Sequence, residues 1–198
     1  MLIARHGDAD YPVHGVLSDD GGWLTEKGRS QAAALADRLR DRRVAAVYTS
    51  TMTRAVTTGE TVARALALPS RAVVGLQEFS VGELAGVPYR DPRAQRVFDA
   101  WLDGDLAVGC PGAESGLGVV RRFEAAIAEL TDLHRGETIV VISHGGVMSL
   151  VVPRLAVNVP DDLARERFVP NCVPAEVAVD SDGWQLLSWP GTADRSVI

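Results

Sequence analysis

Three short apolar runs in this chain each break off into a cluster of Arg, His and Ser. Leu2-Ile3-Ala4 stops at Arg5-His6-Gly7, Val44–Tyr48 runs on to Ser50 and Arg54, and Thr138–Ile142 stops at Ser143-His144-Gly145-Gly146. Runs of this length are too short for helices, and apolar side chains at successive positions suit strands covered on both faces. Between them the pattern changes to a helical period. Thr25 is a natural N-cap for a helix in which Ala32, Leu35, Ala36 and Leu39 share a face and Arg40–Arg43 close the element. A second helix carries Arg54 in its first turn and runs to about Leu66, bounded by Pro69. Arg71–Val74 is a short strand candidate.

The second half repeats the alternation. Leu117–His134 reads as a helix with Val120, Phe123, Ile127, Leu130 and Leu133 in one stripe, ended by Gly136. Thr138–Ile142 is the central strand, and the helix opening after it is expected to end near Pro153. Val177–Val179 and Gln185–Leu187, joined through Ser181-Asp182-Gly183, make a terminal hairpin. The expected fold is therefore α/β: a three-layer sandwich whose mostly parallel central sheet has helices on both faces and a C-terminal hairpin at one edge. Residues at about 75–118 hold Pro88, Pro92, Pro111 and one amphipathic stretch, Ala94–Leu102. They read as an excursion over the active site within a single domain spanning residues 1–198, a length that matches one core.

Composition narrows the partners. The net charge of −6 argues against a nucleic acid or an anionic membrane, whose binders carry a basic surplus. Lys27 is the single lysine, an arginine bias that codon usage alone explains. Cys110 and Cys172 are too few for a disulfide framework and lack metal-ligand spacing, so they read as free thiols in a reducing compartment. The N-terminal sequence lacks a signal-peptide pattern and no apolar run is long enough to span a bilayer, so a soluble, cytoplasmic protein is expected. The sequence leaves the oligomeric state open.

In an open α/β sheet, ligands bind outside the carboxyl ends of the strands. The three polar clusters should therefore meet at one place, bringing two guanidinium groups, two imidazoles and helix N-termini with unpaired N–H groups. A phosphoryl group is the natural ligand. Each residue also has a plainer reading. His6 could be a core histidine, Arg54 could cap its own helix, and His14 and His134 read as solvated surface residues. His6 and His144 could join a carboxylate as zinc ligands, but two flanking arginines would repel the cation. The glycines after His144 let backbone approach a ligand closely.

Six ordered segments carry a resemblance. Leu2 to Gly7, Leu24 to Ala32, Tyr48 to Ala55 with Thr58, Leu76-Gln77-Glu78 with Gly82 to Gly86, Gly112-Ala113-Glu114-Ser115, and Val140 to Gly146 together resemble the histidine phosphatase, or phosphoglycerate mutase-like, family. The resemblance implies a metal-independent phosphatase without a cofactor, acting on a small phosphorylated metabolite. It implies that His6 is the nucleophile, forming a phosphohistidine that water hydrolyses. Arg5, Arg54, His144 and Gly145 would hold the phosphate. Glu78 would donate a proton to the leaving group, with Glu83 in the same segment as its competitor. Asp8, Tyr11 and Glu114 are the candidates for contacts with the rest of the substrate.

Ala9 and Val13 stand where the family often has a hydroxyl residue and an asparagine, and Leu84-Ala85-Gly86 replaces an aromatic, an acid and Gly. These departures bear on substrate contacts. Asp8-Ala9 also resembles short members that act on protein phosphohistidine, so a protein phosphohistidine phosphatase is the second reading. A mutase-type phosphotransferase and a non-catalytic phospho-ligand binder are the others.

Overall fold

A computed structural model describes residues 1–19, 21–165 and 167–194. Its elements run β1 (Leu2–Arg5), β2 (Ala9–Asp10), β3 (Trp23–Leu24), α1 (Glu26–Leu39), β4 (Val44–Thr49), α2 (Thr53–Leu66), β5 (Ser70–Ala72), a 3-10 turn (Gly82–Leu84), α3 (Pro92–Leu102), α4 (Gly116–Leu133), β6 (Thr138–Ser143), α5 (Gly145–Leu155), β7 (Pro174–Asp180) and β8 (Gly183–Ser188). Six strands form one sheet in the order β5-β4-β6-β1-β7-β8. The first four are parallel; β7 joins β1 antiparallel and turns back into β8. This is the mixed sheet with helices around it and a terminal hairpin that the alternation predicted.

Side-chain alternation along the strands builds the two outer layers. Leu2, Ala4, Val47, Val140 and Ile142 face α1 and α2, where they pack with Ala32, Leu35, Ala36, Val62 and Ala63. Ile3, Ala46, Tyr48, Ile139 and Val141 face the other way, onto Val119, Phe123 and Ile127 of α4 and Val147 and Val151 of α5. Residues 75–118 contribute Leu76, Leu84, Ala94, Val97, Trp101 and Cys110 to this second cluster. The excursion is thus folded into the main core by its apolar side chains.

The structure refines the sequence expectations at several points. The short strand after α2 is Ser70–Ala72 rather than Arg71–Val74. The helix after His144 ends near Pro153 as expected, at Leu155, with the proline in its last turn. A proline there removes one N–H close to the helix end, a small loss where the ladder is finishing anyway. Leu133 leaves the predicted stripe: it is 68% exposed, while Ala126 joins Phe123, Ile127 and Leu130 in the core. His134 is not a solvated histidine. Its Nε2 meets the Tyr48 hydroxyl at 2.7 Å and its Nδ1 meets Glu137 Oε2 at 2.7 Å, so it ties the end of α4 to β4. The short β2–β3 ladder had no counterpart in the sequence reading.

Candidate active site

The sheet register brings the three polar clusters together. Arg5 pairs with Ser143 at the ends of β1 and β6, and Thr49 of β4 pairs with Ile142 on the other side of β6. The chain keeps bonding to β6 as it leaves the sheet: His6 N–H donates to Ser143 O at 3.0 Å and Ser50 N–H to Ile142 O at 2.9 Å. His6, Ser50 and His144 therefore start their loops side by side.

His6 is 3% exposed. Its Nδ1 lies 2.7 Å from the carbonyl oxygen of Gly7. A carbonyl only accepts, so Nδ1 carries the proton and Nε2 presents a lone pair. Arg54 Nε donates to that Nε2 at 3.1 Å. Burial, then the charges of Arg5 and Arg54, hold the imidazole well below the ordinary histidine range, so it is neutral near pH 7. The loop beneath it is fixed from several sides. Gly7 N–H donates to Thr58 Oγ1 at 3.0 Å, and Asn171 Nδ2 donates to His6 O at 2.7 Å. A Cβ on Gly7 would lie 2.5 Å from Gly28 O, so the loop sits directly against the start of α1.

Two guanidinium groups flank this ring. Arg54, in the first turn of α2, also donates to Gly21 O at 2.6 Å, and its Cζ stands 5.6 Å from the centre of the Tyr11 ring. Arg5 donates to Val169 O at 3.0 Å and lies along Gly145, where a Cβ would be 3.2 Å from Arg5 Cδ. Burial lowers the Arg5 guanidinium, with the Tyr11 hydroxyl acting in the opposite direction. His144 is fully buried, meets Ser50 Oγ at 2.6 Å through Nε2, and faces His6 edge-on with ring centres 5.2 Å apart. Among the described residues its Nδ1 has no hydrogen-bond partner. Burial first, then His6 and the two arginines, keep His144 neutral.

Glu78 closes the cluster. One carboxylate oxygen accepts from Gly146 N–H at 2.9 Å, and the other from Val147 N–H at 2.6 Å and Phe79 N–H at 3.2 Å. Burial raises this carboxyl above its ordinary value, opposed by the Gly146 N–H, the Arg54 charge and the other two N–H groups. The first turn of α5, expected to offer free N–H groups to an anion, thus gives two of them to the protein's own carboxylate. Gly146 makes this possible, since a Cβ there would lie 2.5 Å from Phe79 Cε1 and 2.9 Å from Glu78 Oε1. Glu83 is elsewhere: it is exposed on the 3-10 turn, its side chain beside Gly112.

The three candidates for wider substrate contacts differ in placement. Tyr11 is half-buried with its ring against the Arg54 guanidinium. Asp8 accepts from Thr25 Oγ1 at 2.7 Å and lies 3.7 Å from Lys27 Nζ, so its carboxylate is engaged at the start of α1. Both oxygens of Glu114 face Arg122. Sequence reasoning overlooked Ser50 as the partner of His144, and Asn171 and Arg122 altogether; none of these residues interrupts a periodic pattern. Cys110 and Cys172 are buried free cysteines, and burial pushes the Cys172 thiol up to about 12. Among the described residues no three His, Cys, Asp or Glu side chains group as metal ligands, and no helix is long and apolar enough to cross a membrane.

The profile of the histidine phosphatase superfamily (branch 1) matches residues 1–192. Phosphoglycerate mutase-like protein 4 of Arabidopsis thaliana is 27% identical over 96% of this chain and 84% of its own length. The metal-independent phosphoserine phosphatase of the same plant is 29% identical over 78% of this chain and 68% of its own. Among solved structures, YhfR of Bacillus stearothermophilus superposes with a TM-score of 0.80 at 26% identity, covering 94% of both chains. A mycobacterial glucosyl-3-phosphoglycerate phosphatase in complex with VO3 gives 0.80 at 24% identity over 97% of this chain and 99% of that one, a likeness of fold.

Proposed function

The chain belongs to the histidine phosphatase superfamily, and we propose that it is a metal-independent phosphomonoesterase acting on a small phosphorylated metabolite through a phosphohistidine on His6. The observation that carries this reading is the state of His6: neutral, with its proton pinned on Nδ1 by Gly7 O and its Nε2 lone pair directed at Arg54. Such a nitrogen is a nucleophile at neutral pH, and the arginine beside it is placed to trade that bond for a phosphoryl oxygen.

In the first step the Nε2 lone pair forms a bond to phosphorus and the ester P–O bond breaks. The leaving oxygen takes the proton of the Glu78 carboxyl, which its raised pKa makes available. Arg5, Arg54, His144 and the Gly145 N–H hold the phosphoryl oxygens as charge gathers on them. In the second step Glu78, now a carboxylate, takes a proton from water while that water's oxygen attacks phosphorus. The P–N bond breaks, its electron pair returns to Nε2, and inorganic phosphate leaves. Tyr11 is the contact we assign to the rest of the substrate. The phosphoserine phosphatase relative supports a small phosphomonoester as the substrate class.

The experiment is rapid-quench trapping with a ³²P-labelled ester. Acid-labile, base-stable label on the wild-type chain, absent from His6→Ala, is the expected result; turnover by His6→Ala at near wild-type rate refutes the nucleophile. Glu78 is tested separately by leaving group. Glu78→Gln should slow the burst with an alkyl phosphate by roughly 10²–10⁴-fold, and far less with para-nitrophenyl phosphate, whose leaving group needs little protonation.

A further inference from the structure

Glu78 lies on a segment with no regular secondary structure between β5 and the 3-10 turn. Left to itself, such backbone samples many conformations, and a general acid displaced by about 1 Å loses on the order of 10²-fold in rate. Something must hold this carboxylate in place besides the two N–H groups of α5. The carbonyls of the segment show what does. Arg122 Nη1 donates to Gly75 O at 2.7 Å and to Gln77 O at 2.8 Å, and its Nη2 donates to Glu78 O at 3.2 Å. Ser143 Oγ takes the remaining carbonyl, Leu76 O, at 2.8 Å. Four successive carbonyls are therefore fixed, three of them by one guanidinium.

That guanidinium is itself anchored. Glu114 Oε1 accepts from Arg122 Nε at 3.1 Å and Nη2 at 2.8 Å, and Glu114 Oε2 accepts from Nε at 3.0 Å. A carboxylate on the Nε edge leaves the far side of the fork for the carbonyls, a division of labour that a lysine ammonium cannot reproduce. Glu114 precedes the α4 N-cap Ser115, and Arg122 lies two turns into that helix. The backbone turn at Gly75 packs on the same stretch. A Cβ there would lie 2.7 Å from Arg122 O and 2.8 Å from the Ala126 Cβ, and its φ is +104°. The acid segment is thus registered against α4 by main chain and side chain together.

We infer that Arg122, braced by Glu114, is a positioning residue for the general acid, holding the 75–78 backbone so that the Glu78 carboxyl meets the leaving oxygen. The inference rests on the reading of Glu78 as the proton donor. It also gives Glu114 a task inside the protein, through Arg122.

The test measures the pre-steady-state burst of Arg122→Ala and Arg122→Lys with two substrates, an alkyl phosphate and para-nitrophenyl phosphate. The para-nitrophenyl burst amplitude counts competent sites, so a partly unfolded preparation is corrected for. Arg122→Ala should slow the alkyl phosphate by about tenfold to 10²-fold and the aryl phosphate by much less. Arg122→Lys should fall nearer to Ala than to wild type. In a Glu78→Gln background Arg122→Ala should add less than about twofold to the alkyl defect, because residues acting through one group are not additive. Equal slowing of both substrates, or the full defect repeated in the Glu78→Gln background, overturns the positioning role and leaves Glu78 standing. If Glu78→Gln itself shows no leaving-group dependence, the reading of Glu78 fails and the inference falls with it.

Discussion

The two buried imidazoles at the site make folding stability depend steeply on pH, and the size of the effect follows from their surroundings. His6 and His144 are 3% and 0% exposed, face each other, and lie under the charges of Arg5 and Arg54. Both are held well below the ordinary histidine range in the folded state. In the unfolded chain each returns to a pKa of about 6.5. Below that value the unfolded state binds protons that the native state refuses, so stability is complete above pH 6.5 and is lost as pH falls. If both rings stay neutral in the folded state down to pH 5.5, each histidine contributes a loss of up to about 1.4 kcal/mol between pH 7.5 and 5.5 and the pair up to about 2.7 kcal/mol. Glu78 acts with the opposite sign: its raised pKa lets the native state take up a proton as pH falls, which flattens the curve toward the acid end. Urea melts at half-unit steps between pH 7.5 and 5.5 would measure this, in buffer free of phosphate so that a bound anion does not stabilise the fold. His6→Gln and His144→Gln should each remove about half of the drop, up to about 1.4 kcal/mol, whatever their stability at pH 7.5. A wild-type curve that is flat over this window, or a His6→Gln curve as steep as the wild type, would refute the claim that these rings are buried and neutral.

Two further outcomes test the site. Turnover of para-nitrophenyl phosphate should survive excess EDTA, because Arg5 and Arg54 supply the positive charge, and vanadate should inhibit as a trigonal-bipyramidal mimic; activity that dies on chelation and returns with Mg²⁺ or Zn²⁺ would refute the mechanism. Gly146→Ala should reproduce the leaving-group dependence of Glu78→Gln, since the added Cβ would stand 2.9 Å from Glu78 Oε1 and displace the carboxyl. Equal burst rates for Gly146→Ala and wild type on an alkyl phosphate would show that the close fit around Glu78 does not govern proton transfer.

Much of this arrangement was legible because it rests on short-range pattern. Leu2-Ile3-Ala4, Val44–Tyr48 and Thr138–Ile142 announce buried strands by apolar run alone. The rule that ligands gather at the carboxyl ends of such strands then places Arg5, His6, Arg54 and His144 together. Thr25 as N-cap and Arg54 in the first turn of α2 were equally local facts, and both hold. What the sequence concealed were choices of partner across the fold. Arg121 and Arg122 are neighbours in one helix, and no periodicity says that the second reaches back across 47 residues to Gly75 O while the first does not. His134 looked solvated because its partners, Tyr48 and Glu137, are set by where α4 ends against β4.

The choice between Glu78 and Glu83 shows where local reading stops. Both carboxylates sit among similar neighbours five residues apart, so neither residue type nor spacing along the chain separates them. The fold separates them by a contact from another element: the start of α5, whose Gly146 and Val147 N–H groups draw Glu78 in while Glu83 stays at the surface. The Gly145-Gly146 pair carried that information in its chemistry. Two glycines at the start of a helix signal a close approach of backbone to something. At Gly145 the neighbour is Arg5, and at Gly146 it is the Glu78 carboxylate and the Phe79 ring. A carboxylate bonded to a helix N-terminus is normally ionised. Here burial outweighs the N–H groups and the Arg54 charge, leaving the carboxyl raised. The same helix end therefore fixes the position of Glu78 while burial keeps its carboxyl above the ordinary range, as the proton-donor role proposed for it requires.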